Sequence, residues 1–253
     1  MIWIRSAFFW LAIIIFTPLF AVIGTIIRPL PPITRYRIMS GWARIMMPWL
    51  RLTCGLKFKV SGAENIPAGP AMIMCKHQSA WETIALQVIF PPQVWVLKRE
   101  LLYVPFFGWA MAMLKPIAID RSNPKAALKQ LAKQGDERIK QGAWVLIFPE
   151  GTTTDGRGLR TFHGRLLASA IDADVSLQPV AIRYLRDGQV DPLAPFIGDD
   201  DLLSHLMRLF SNDQGDVEIH VLKPIACAGQ ERAALAHQAQ QAVQKAQALR
   251  PVP

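Results

Sequence analysis

The sequence predicts an α/β domain with a mixed β-sheet flanked by helices, preceded by an N-terminal membrane-associated helical segment. Three observations support this fold class. Beyond Cys54, short apolar runs alternate with longer stretches of helical spacing, which is typical of α/β domains. Hydrophobic residues make up 51% of the 253-residue chain, enough for a sizeable core. Near the N-terminus, 21 consecutive residues carry no charge.

The uncharged stretch, Ala7 to Ile27, is long enough to be a membrane helix. At about 1.5 Å per residue it covers the roughly 30 Å hydrocarbon core of a bilayer. A secretory signal peptide would have a shorter apolar stretch and a small-residue cleavage site, so we expect the segment to stay in the membrane. Tryptophans and arginines within Met39 to Leu52 favour a second helix at the interface. We therefore predict a membrane-anchoring segment, 1–52, which either spans the bilayer or forms a hairpin in one leaflet, and an α/β domain, 53–253.

Charge and cysteine content indicate the kind of partner and the cellular compartment. The formal net charge of +9 suits an anionic partner such as anionic lipid, nucleic acid or a phosphorylated substrate. Six arginines precede the first acidic residue, Glu64, and five of them follow the apolar stretch. The positive-inside rule then places everything after Arg28 in the cytoplasm. The three cysteines are scattered without a Cys-x-x-Cys pair, which fits a reducing compartment.

The elements of the α/β domain follow from apolar runs and from helical spacing. The predicted strands are Leu56–Val60, Ala71–Met74, Val94–Leu97, Ile117–Ile119, Trp144–Phe148, Leu177–Ile182 and Val217–Leu222. The predicted helices are Trp81–Phe90, Phe107–Leu114, Pro124–Gln141, Arg165–Asp172 and Glu231–Leu249. Polar clusters follow three of these strands, at His77, at Asp120-Arg121 and at Glu150. Because ligands of such sheets gather at strand ends, the three clusters are candidates for one site.

His77 and Glu82 are the candidate catalytic residues. His77 follows a predicted strand, and Glu82 lies five residues later in the first turn of the next predicted helix. From there a carboxylate reaches back to one imidazole nitrogen, fixes the tautomer and leaves the other nitrogen free to take a proton. The pattern indicates a general-base pair without a nucleophile. The alternative is an ordinary loop histidine beside a glutamate at a helix start.

The loop from Phe148 to Thr154 is a candidate substrate-binding element. It offers free backbone N–H groups, hydroxyls including that of Thr152, and the Glu150 carboxylate beside Gly151. Backbone amides in a glycine turn hold phosphate oxygens, although an ordinary tight turn has the same sequence. A phosphomonoester would also need cations. The candidate cations are Lys98, Arg99, Arg121, Arg157, Arg160 and Arg165.

Several function classes lack their signatures. The chain has no Gly-x-Ser-x-Gly elbow of a serine hydrolase and no Gly-x-x-x-x-Gly-Lys-Ser/Thr loop of a nucleotide triphosphatase. No metal-ligand spacing and no dinucleotide-binding motif occur, so we expect neither a metal nor a cofactor. The histidines at 163, 205, 220 and 237 are interpreted as structural or surface residues.

Taken together, these clusters resemble the glycerolipid acyltransferase superfamily, and most closely its bacterial 1-acyl-sn-glycerol-3-phosphate (lysophosphatidic acid) acyltransferases. The family's first block, His-x-x-x-x-Asp, corresponds to His77-Gln-Ser-Ala-Trp-Glu82. Its third block, Phe-Pro-Glu-Gly-Thr-Arg, corresponds to Phe148-Pro149-Glu150-Gly151-Thr152-Thr153. The second and fourth blocks correspond to Lys98-Arg-Glu100-Leu101 with Pro105-Phe-Phe-Gly108 and Ile119-Asp120-Arg121, and to Leu177-Gln178-Pro179-Val180. Four blocks in order over residues 77 to 180 make the resemblance specific.

The resemblance implies an enzyme that transfers an acyl group from acyl-CoA or acyl-acyl carrier protein to the sn-2 hydroxyl of lysophosphatidic acid, giving phosphatidic acid. It implies His77 as the base, Glu82 as its partner, Lys98 and Arg121 as phosphate ligands, and Glu150 with Gly151 shaping the acceptor pocket. It also implies phospholipid biosynthesis at the inner membrane, contact with membrane lipids and no nucleic-acid partner.

Two departures from the family pattern leave alternatives open. Glu82 replaces the usual aspartate but keeps the carboxylate. Thr153 replaces an arginine that binds phosphate, so Arg157, Arg160 or Arg165 would have to substitute. A different acceptor is therefore an alternative: a lyso-ornithine lipid, another lysophospholipid or glycerol-3-phosphate. A basic peripheral lipid-binding protein without catalysis is the alternative from another class.

Overall fold

The computed structural model describes residues 2–120, 122–198, 200–210 and 215–248. It confirms the predicted class, since a mixed sheet lies between two layers of helices and an apolar helix precedes it. The helices are α1 Ile2–Ile26, α2 Pro32–Met39, α3 Gly41–Cys54, α4 Trp81–Ile89, α5 Phe107–Met113, α6 Pro124–Lys140, α7 Ala168–Asp172, α8 Leu202–Phe210 and α9 Arg232–Ala248. Short 3-10 turns cover Ala63–Asn65, Arg99–Tyr103 and Gly164–Leu167.

The strands are β1 Leu56–Ser61, β2 Met72–Cys75, β3 Gln93–Lys98, β4 Ile117–Ile119, β5 Trp144–Ile147, β6 Leu177–Arg186, β7 Gln189–Val190 and β8 Gly215–Val221. Along the sheet they lie in the order β1-β8-β6-β2-β5-β3-β4, with β7 antiparallel to β6. The pair β6–β8 is antiparallel, and the other neighbours on this path are parallel. The carboxyl ends of β2, β3, β4, β5 and β6 therefore meet at one edge. The amino ends of the same strands form the opposite edge.

The central strands bury both faces, because helices cover the sheet on each side. Along β2, Ile73 and Cys75 point into the core under α1 to α4 and α8, whereas Met72 and Met74 point into the core under α6, α7 and α9. Such two-sided burial accounts for the continuous apolar runs that predicted these strands. α6 begins as its sequence indicates, since the Asn123 side chain accepts a hydrogen bond from the Ala126 amide at 3.1 Å.

α1 lies along the body of the protein. Phe9 and Phe20, at two ends of its buried side, are 0% and 8% exposed, and the Phe8 carbonyl accepts a hydrogen bond from the Trp49 indole of α3 at 3.2 Å. The opposite side carries an exposed apolar stripe that includes Ile4, Leu11, Ile15, Leu19, Val22 and Ile26. Among the described residues α1 is the one helix long and apolar enough to cross a membrane, which by itself is weak evidence of a span.

The remaining differences from prediction have local reasons. The predicted helix Arg165–Asp172 is a 3-10 turn followed by α7. The prediction missed α2, which starts at Pro32 immediately after a proline-rich turn, and α8, which is separated from the sheet by a long loop. Proline suits the first turn of a helix although it breaks helix interiors, so the run of prolines before Ile33 hid the start of α2.

Candidate active site

The structure brings His77 and Glu82 into direct contact. β2 ends at Cys75 and α4 begins at Trp81, so the five residues between them turn at the carboxyl edge of the sheet. Glu82 lies in the first turn of α4 and points back, placing its Oε2 atom 2.6 Å from His77 Nδ1. Because an ionised carboxylate only accepts hydrogen bonds, Nδ1 carries the proton and Nε2 is the basic nitrogen.

Glu82 is held from several sides. It is fully buried, and its Oε1 atom accepts hydrogen bonds from the Gln78 amide at 2.8 Å, the Ser79 amide at 2.9 Å and the Tyr184 hydroxyl at 3.0 Å. The two amides come from the same turn that carries His77. A carboxylate bound in this way has little freedom to rotate, so it fixes the plane and the tautomer of the imidazole.

The His77 ring is packed on one face and open at one nitrogen. It stacks on the Phe148 ring with centroids 3.7 Å apart and planes 11° from parallel. Its side chain remains 19% exposed, and Nε2 makes no hydrogen bond with any described residue. An oriented imidazole thus remains accessible at the carboxyl edge of the sheet. This arrangement can remove a proton from an approaching hydroxyl.

The loop after β5 supports the backbone on which His77 sits. Glu150 is 3% exposed, and its two oxygens accept hydrogen bonds from the His77 amide at 3.3 Å and the Arg160 amide at 2.9 Å. Thr154 donates its amide to the His77 carbonyl at 2.9 Å. Burial raises the pKa of Glu150, although these amide donors oppose the shift. The carboxylate is therefore occupied by backbone groups, and direct contact of Glu150 with an acceptor stays a prediction.

Lys76 adds a buried cation to this network. Its side chain is fully buried, and its ammonium donates to the Gly156 carbonyl at 3.3 Å. Burial lowers the pKa of Lys76, whereas the charges of Glu150 and Glu82 raise it. A lysine is almost never fully buried without compensating charge, and here two buried carboxylates provide it. The ammonium thereby joins the turn that carries His77 to the turn that precedes Arg157.

The predicted phosphate ligands, unlike His77 and Glu82, are exposed side chains or lie outside the described residues. Lys98 ends β3 at the same edge and is exposed, and Arg157 is exposed beside a turn in which its amide donates to Asp155 at 3.1 Å. Arg160 and Arg165 are also exposed, and Arg121 lies outside the described residues. Gly151 has φ +72°, a left-handed conformation that favours glycine, and it is exposed beside the half-buried Thr152. The roles of these residues as phosphate ligands stay predictions.

Thr153, the departure from the family pattern, serves a structural bond. Its hydroxyl donates to the Phe196 carbonyl, and the Phe196 amide in turn donates to the Gln78 carbonyl at 2.7 Å. The loop before α8 is thus fastened to both the His77 segment and the Glu150 loop. No guanidinium occupies this position, so a phosphate at this point of the site would need another cation.

Three residues of the site were not singled out from the sequence. Tyr184 lies 102 residues after Glu82 and reaches it only because β6 pairs with β2. The sequence does mark Lys76, because a charged residue directly before His77 interrupts a buried segment. His205, predicted to be structural or on the surface, is fully buried, with Nε2 3.1 Å from the Ser79 hydroxyl. Its place is structural, and it holds α8 against the turn that carries His77.

Comparison with known proteins finds a matching family and several relatives. The family model described as Acyltransferase matches residues 57–183. A 1-acyl-sn-glycerol-3-phosphate acyltransferase of Pseudomonas aeruginosa is 49% identical over 180 residues, which are 70% of this chain and 70% of the relative. A lyso-ornithine lipid O-acyltransferase of the same organism is 45% identical over 204 residues, 80% of this chain and 78% of the relative.

A solved structure shows the same fold. The crystal structure of the 1-acyl-sn-glycerophosphate (LPA) acyltransferase PlsC from Thermotoga maritima aligns with a TM-score of 0.73, covering 97% of this chain and 94% of that one. The two sequences are 18% identical, so this likeness concerns the fold. Its coverage extends over the N-terminal helices as well as the α/β sheet.

Proposed function

This chain belongs to the acyltransferase family, and we propose that it transfers a fatty acyl group from acyl-CoA or acyl-acyl carrier protein to the sn-2 hydroxyl of 1-acyl-glycerol-3-phosphate, giving phosphatidic acid. One observation carries the proposal. His77 Nδ1 is bonded to the buried Glu82 at 2.6 Å, while Nε2 makes no hydrogen bond with any described residue. The 49% identical relative has the corresponding activity in its name.

The chemistry needs a base and no covalent intermediate, because a thioester is already activated. His77 Nε2 takes the proton of the acceptor hydroxyl as its oxygen attacks the thioester carbonyl, and the tetrahedral intermediate then expels the thiolate. The imidazolium returns its proton to the leaving sulfur, so the enzyme ends in its starting state. Glu82 offsets the charge on the imidazolium during the reaction. General-base help of this kind contributes about 10²- to 10⁴-fold.

The acceptor would lie against the carboxyl edge of the sheet. Lys98 and Arg157 are exposed there, and together with Arg121 they are the proposed ligands of its phosphate. Gly151 and Thr152 line the way to His77 in the proposed pocket. Cations at this edge also suit the phosphates of a CoA donor or the acidic surface of a carrier protein.

Membrane attachment fits a lipid acceptor, since both acceptor and product reside in a bilayer. Of the two arrangements left open by the sequence, we favour the hairpin in one leaflet. Phe9 and Phe20 are both buried against the body, and α3 holds α1 through the Trp49 hydrogen bond. A helix crossing the bilayer would have to leave these contacts. The α/β domain is proposed to face the cytoplasm at the inner membrane, as the arginines after α1 indicate.

A lyso-ornithine lipid is the second candidate acceptor. Thr153 binds the Phe196 carbonyl where the family pattern has a phosphate-binding arginine. The 45% identical relative has this acceptor in its name. An ornithine headgroup carries no phosphate, so it does not require a cation at that position. Non-catalytic lipid binding remains the alternative from another class.

An acceptor panel tests the proposal. The purified full-length enzyme is incubated with labelled acyl-CoA or acyl-acyl carrier protein and with lysophosphatidic acid, lyso-ornithine lipid, another lysophospholipid or glycerol-3-phosphate. We expect labelled phosphatidic acid as the main product, and at least about 10²-fold less of it with His77→Ala. Preferential labelling of ornithine lipid would establish the second candidate instead. Membrane binding with no product from any acceptor would favour the non-catalytic alternative.

A further inference from the structure

We propose that Arg28, Arg35, Lys115 and Arg138 form a second anion site, which binds a phosphate group at the amino edge of the sheet. This amino-edge site lies at the opposite ends of the strands from His77. It does not depend on the proposed acyl transfer, because none of the four residues belongs to the candidate active site.

The four cations come from four separate elements, and Arg35 interacts electrostatically with both Arg28 and Arg138. Arg28 follows the last turn of α1, Arg35 lies in α2, Lys115 lies between α5 and β4, and Arg138 lies in the last turn of α6. Two of them, Lys115 and Arg138, line an open hollow at the start of β3 and β5, together with residues that include Ile33, Tyr36 and Gln141. The Arg138 Nε atom donates to the Lys115 carbonyl at 3.3 Å. Lys115 itself has φ +51°, which is unusual for a residue with a side chain.

Arg35 is the most unusual residue of the cluster, because it is a buried arginine with an unpartnered nitrogen. It is 5% exposed, and its buried Nε atom has no hydrogen-bond partner. No carboxylate of the described residues forms an ion pair with any of the four cations. Asp136, on the same helix as Arg138, pairs with Lys140 at 2.7 Å instead. An arginine stays protonated in proteins, and burying its charge without a partner is costly.

The neighbours add to this cost. Burial lowers the pKa of Arg35, and the charges of Arg28 and Arg138 lower it further. Burial also lowers the pKa of Lys115, again with help from Arg35 and Arg138. Like charges therefore surround Arg35, whose Nε atom is buried, and no acid of the described residues forms an ion pair with any of the four cations. A bound anion relieves both the repulsion and the unpaired charge, which is the situation expected of a ligand site rather than of a structural one.

The chemistry of the cations selects the class of anion. Three guanidinium groups and an ammonium suit the tetrahedral oxygens of a phosphate, because the arginine fork binds two oxygens at once. The phosphate could belong to an anionic lipid headgroup or be free in solution. The end of α1 favours the lipid, since Ile26 and Leu30 are 71% and 40% exposed beside Arg28 and would reach the bilayer if α1 lies in it.

Thermal unfolding of the full-length enzyme in a neutral detergent, titrated with inorganic phosphate, tests the site. We expect phosphate to raise the Tm of the wild type, and to raise it equally for Lys59→Gln, a matched loss of charge at an exposed position on β1. Arg35→Met should remove the response. Arg138→Gln, which is only partly buried, should weaken phosphate binding at least about tenfold, the effect of one lost charge-assisted hydrogen bond. If Arg35→Met does not fold, the Arg138→Gln variant still tests the site.

A second control separates the two edges of the sheet. Phosphate also has candidate ligands near His77, so the same titration is run with Arg157→Gln. A response that persists in Arg157→Gln and is lost in Arg35→Met and Arg138→Gln supports the amino-edge site. A response that is lost in Arg157→Gln and intact in both of the other variants overturns it.

Vesicle flotation distinguishes the source of the phosphate. Phosphatidylcholine vesicles with and without phosphatidylglycerol are compared for the wild type, Arg35→Met, Arg138→Gln and Lys59→Gln. A greater loss of anionic-vesicle binding in the two site variants than in Lys59→Gln assigns the site to a lipid headgroup. A thermal response to inorganic phosphate without such a difference assigns it to free phosphate. If neither measurement separates the site variants from Lys59→Gln, the proposal is wrong.

Discussion

The two edges of the sheet differ in whether their buried charged side chains have partners within the protein. At the carboxyl edge, Glu82 and Glu150 are buried, and each accepts hydrogen bonds from the segment around His77 or the loop facing it, with the buried Lys76 nearby. At the amino edge, Arg35 is buried next to other cations, and its Nε atom has no partner. At the first edge the protein itself supplies the hydrogen-bond partners of the buried carboxylates. At the second edge no carboxylate of the described residues pairs with the cations, and the proposed anion would supply the opposite charge.

This difference separates two ways in which a fold supports a ligand. A satisfied network holds one geometry before the substrate arrives, so the energy of substrate binding is not needed to orient the base. An unsatisfied cluster stores a cost that a ligand removes, which strengthens binding of that ligand. Substitutions at the two edges should therefore differ in kind: loss of rate at the first, and loss of an anion response at the second.

The largest effect is expected from His77→Ala, which removes the base and leaves the rest of the carboxyl edge in place. Acyl transfer should fall by about 10²- to 10⁴-fold. The fold should survive because Glu82 retains its bonds to Gln78, Ser79 and Tyr184. Transfer of labelled acyl-CoA and the far-UV circular dichroism spectrum are the measurements. His220→Ala, at a histidine bonded to Ser61 on the far strands, is the matched control. Residual activity above a few per cent would count against His77 as the base.

Glu82→Gln tests whether the network controls the tautomer of His77. The remaining oxygen is needed by the two amides and the Tyr184 hydroxyl, which leaves the glutamine NH₂ facing Nδ1. Nδ1 must then accept a hydrogen bond, so the proton moves to Nε2 and the base is lost. We expect a fall of about 10²-fold or more in kcat.

The matched variant Glu82→Asp keeps a carboxylate but shortens its reach, and it should retain part of the activity. Rates for Glu82→Gln equal to those of the wild type would remove the carboxylate from the mechanism. Measuring kcat across the neutral pH range for both variants separates the loss of the base from a shift in its titration.

The sequence predicted much more of the site at the carboxyl edge than of the cation cluster at the amino edge. The apolar runs of β2 and β5 mark where the strands end, so the positions of His77 and Glu150 followed from local patterns. Tyr184 did not, because its contact with Glu82 depends on the pairing of β6 with β2. The amino-edge cluster was hidden for a related reason. Its cations come from four elements, and no local pattern shows that a carboxylate is missing.

Replacing one buried cation with methionine at each edge tests whether the two edges differ in this way. Lys76→Met leaves the buried Glu82 and Glu150 without their cation and frees the Gly156 carbonyl, so the free energy of unfolding should fall by about 1–3 kcal/mol. The KM for the acceptor should rise, because the turn before Arg157 loses its anchor. In phosphate-free buffer, Arg35→Met removes an unpaired charge and should not lower stability.

Urea unfolding of both variants, with acceptor kinetics for the first, provides the data for this pair. Lys76→Arg is the control that keeps the charge. If Lys76→Met were as stable as the wild type, or if Arg35→Met lost as much stability as Lys76→Met, the contrast between the two edges would not hold.

The last effect concerns the support behind the carboxyl edge and appears only in acid. His205 is fully buried, its Nε2 atom lies 3.1 Å from the Ser79 hydroxyl, and its ring stacks on Phe196 with centroids 4.8 Å apart. Burial, and then the charge of Arg208, lowers the pKa of His205 from 6.5 to about 4. Between these values the unfolded chain binds a proton that the folded protein does not.

Because of His205, the protein becomes less stable in acid. Above pH 6.5 the histidine is neutral in both states and contributes no pH dependence. As the pH falls from 6.5 to about 4, the free energy of unfolding decreases, and the contribution then levels off after a total loss of about 3 kcal/mol. His205→Gln keeps an acceptor for Ser79 but does not titrate, so its stability should fall less steeply over the same range. Urea unfolding at several pH values measures both slopes. The difference between them isolates His205 from Glu150, whose raised pKa acts in the opposite direction and is present in both proteins. Equal slopes would show that His205 is protonated in the folded state, and that the turn carrying His77 tolerates a charge directly behind it.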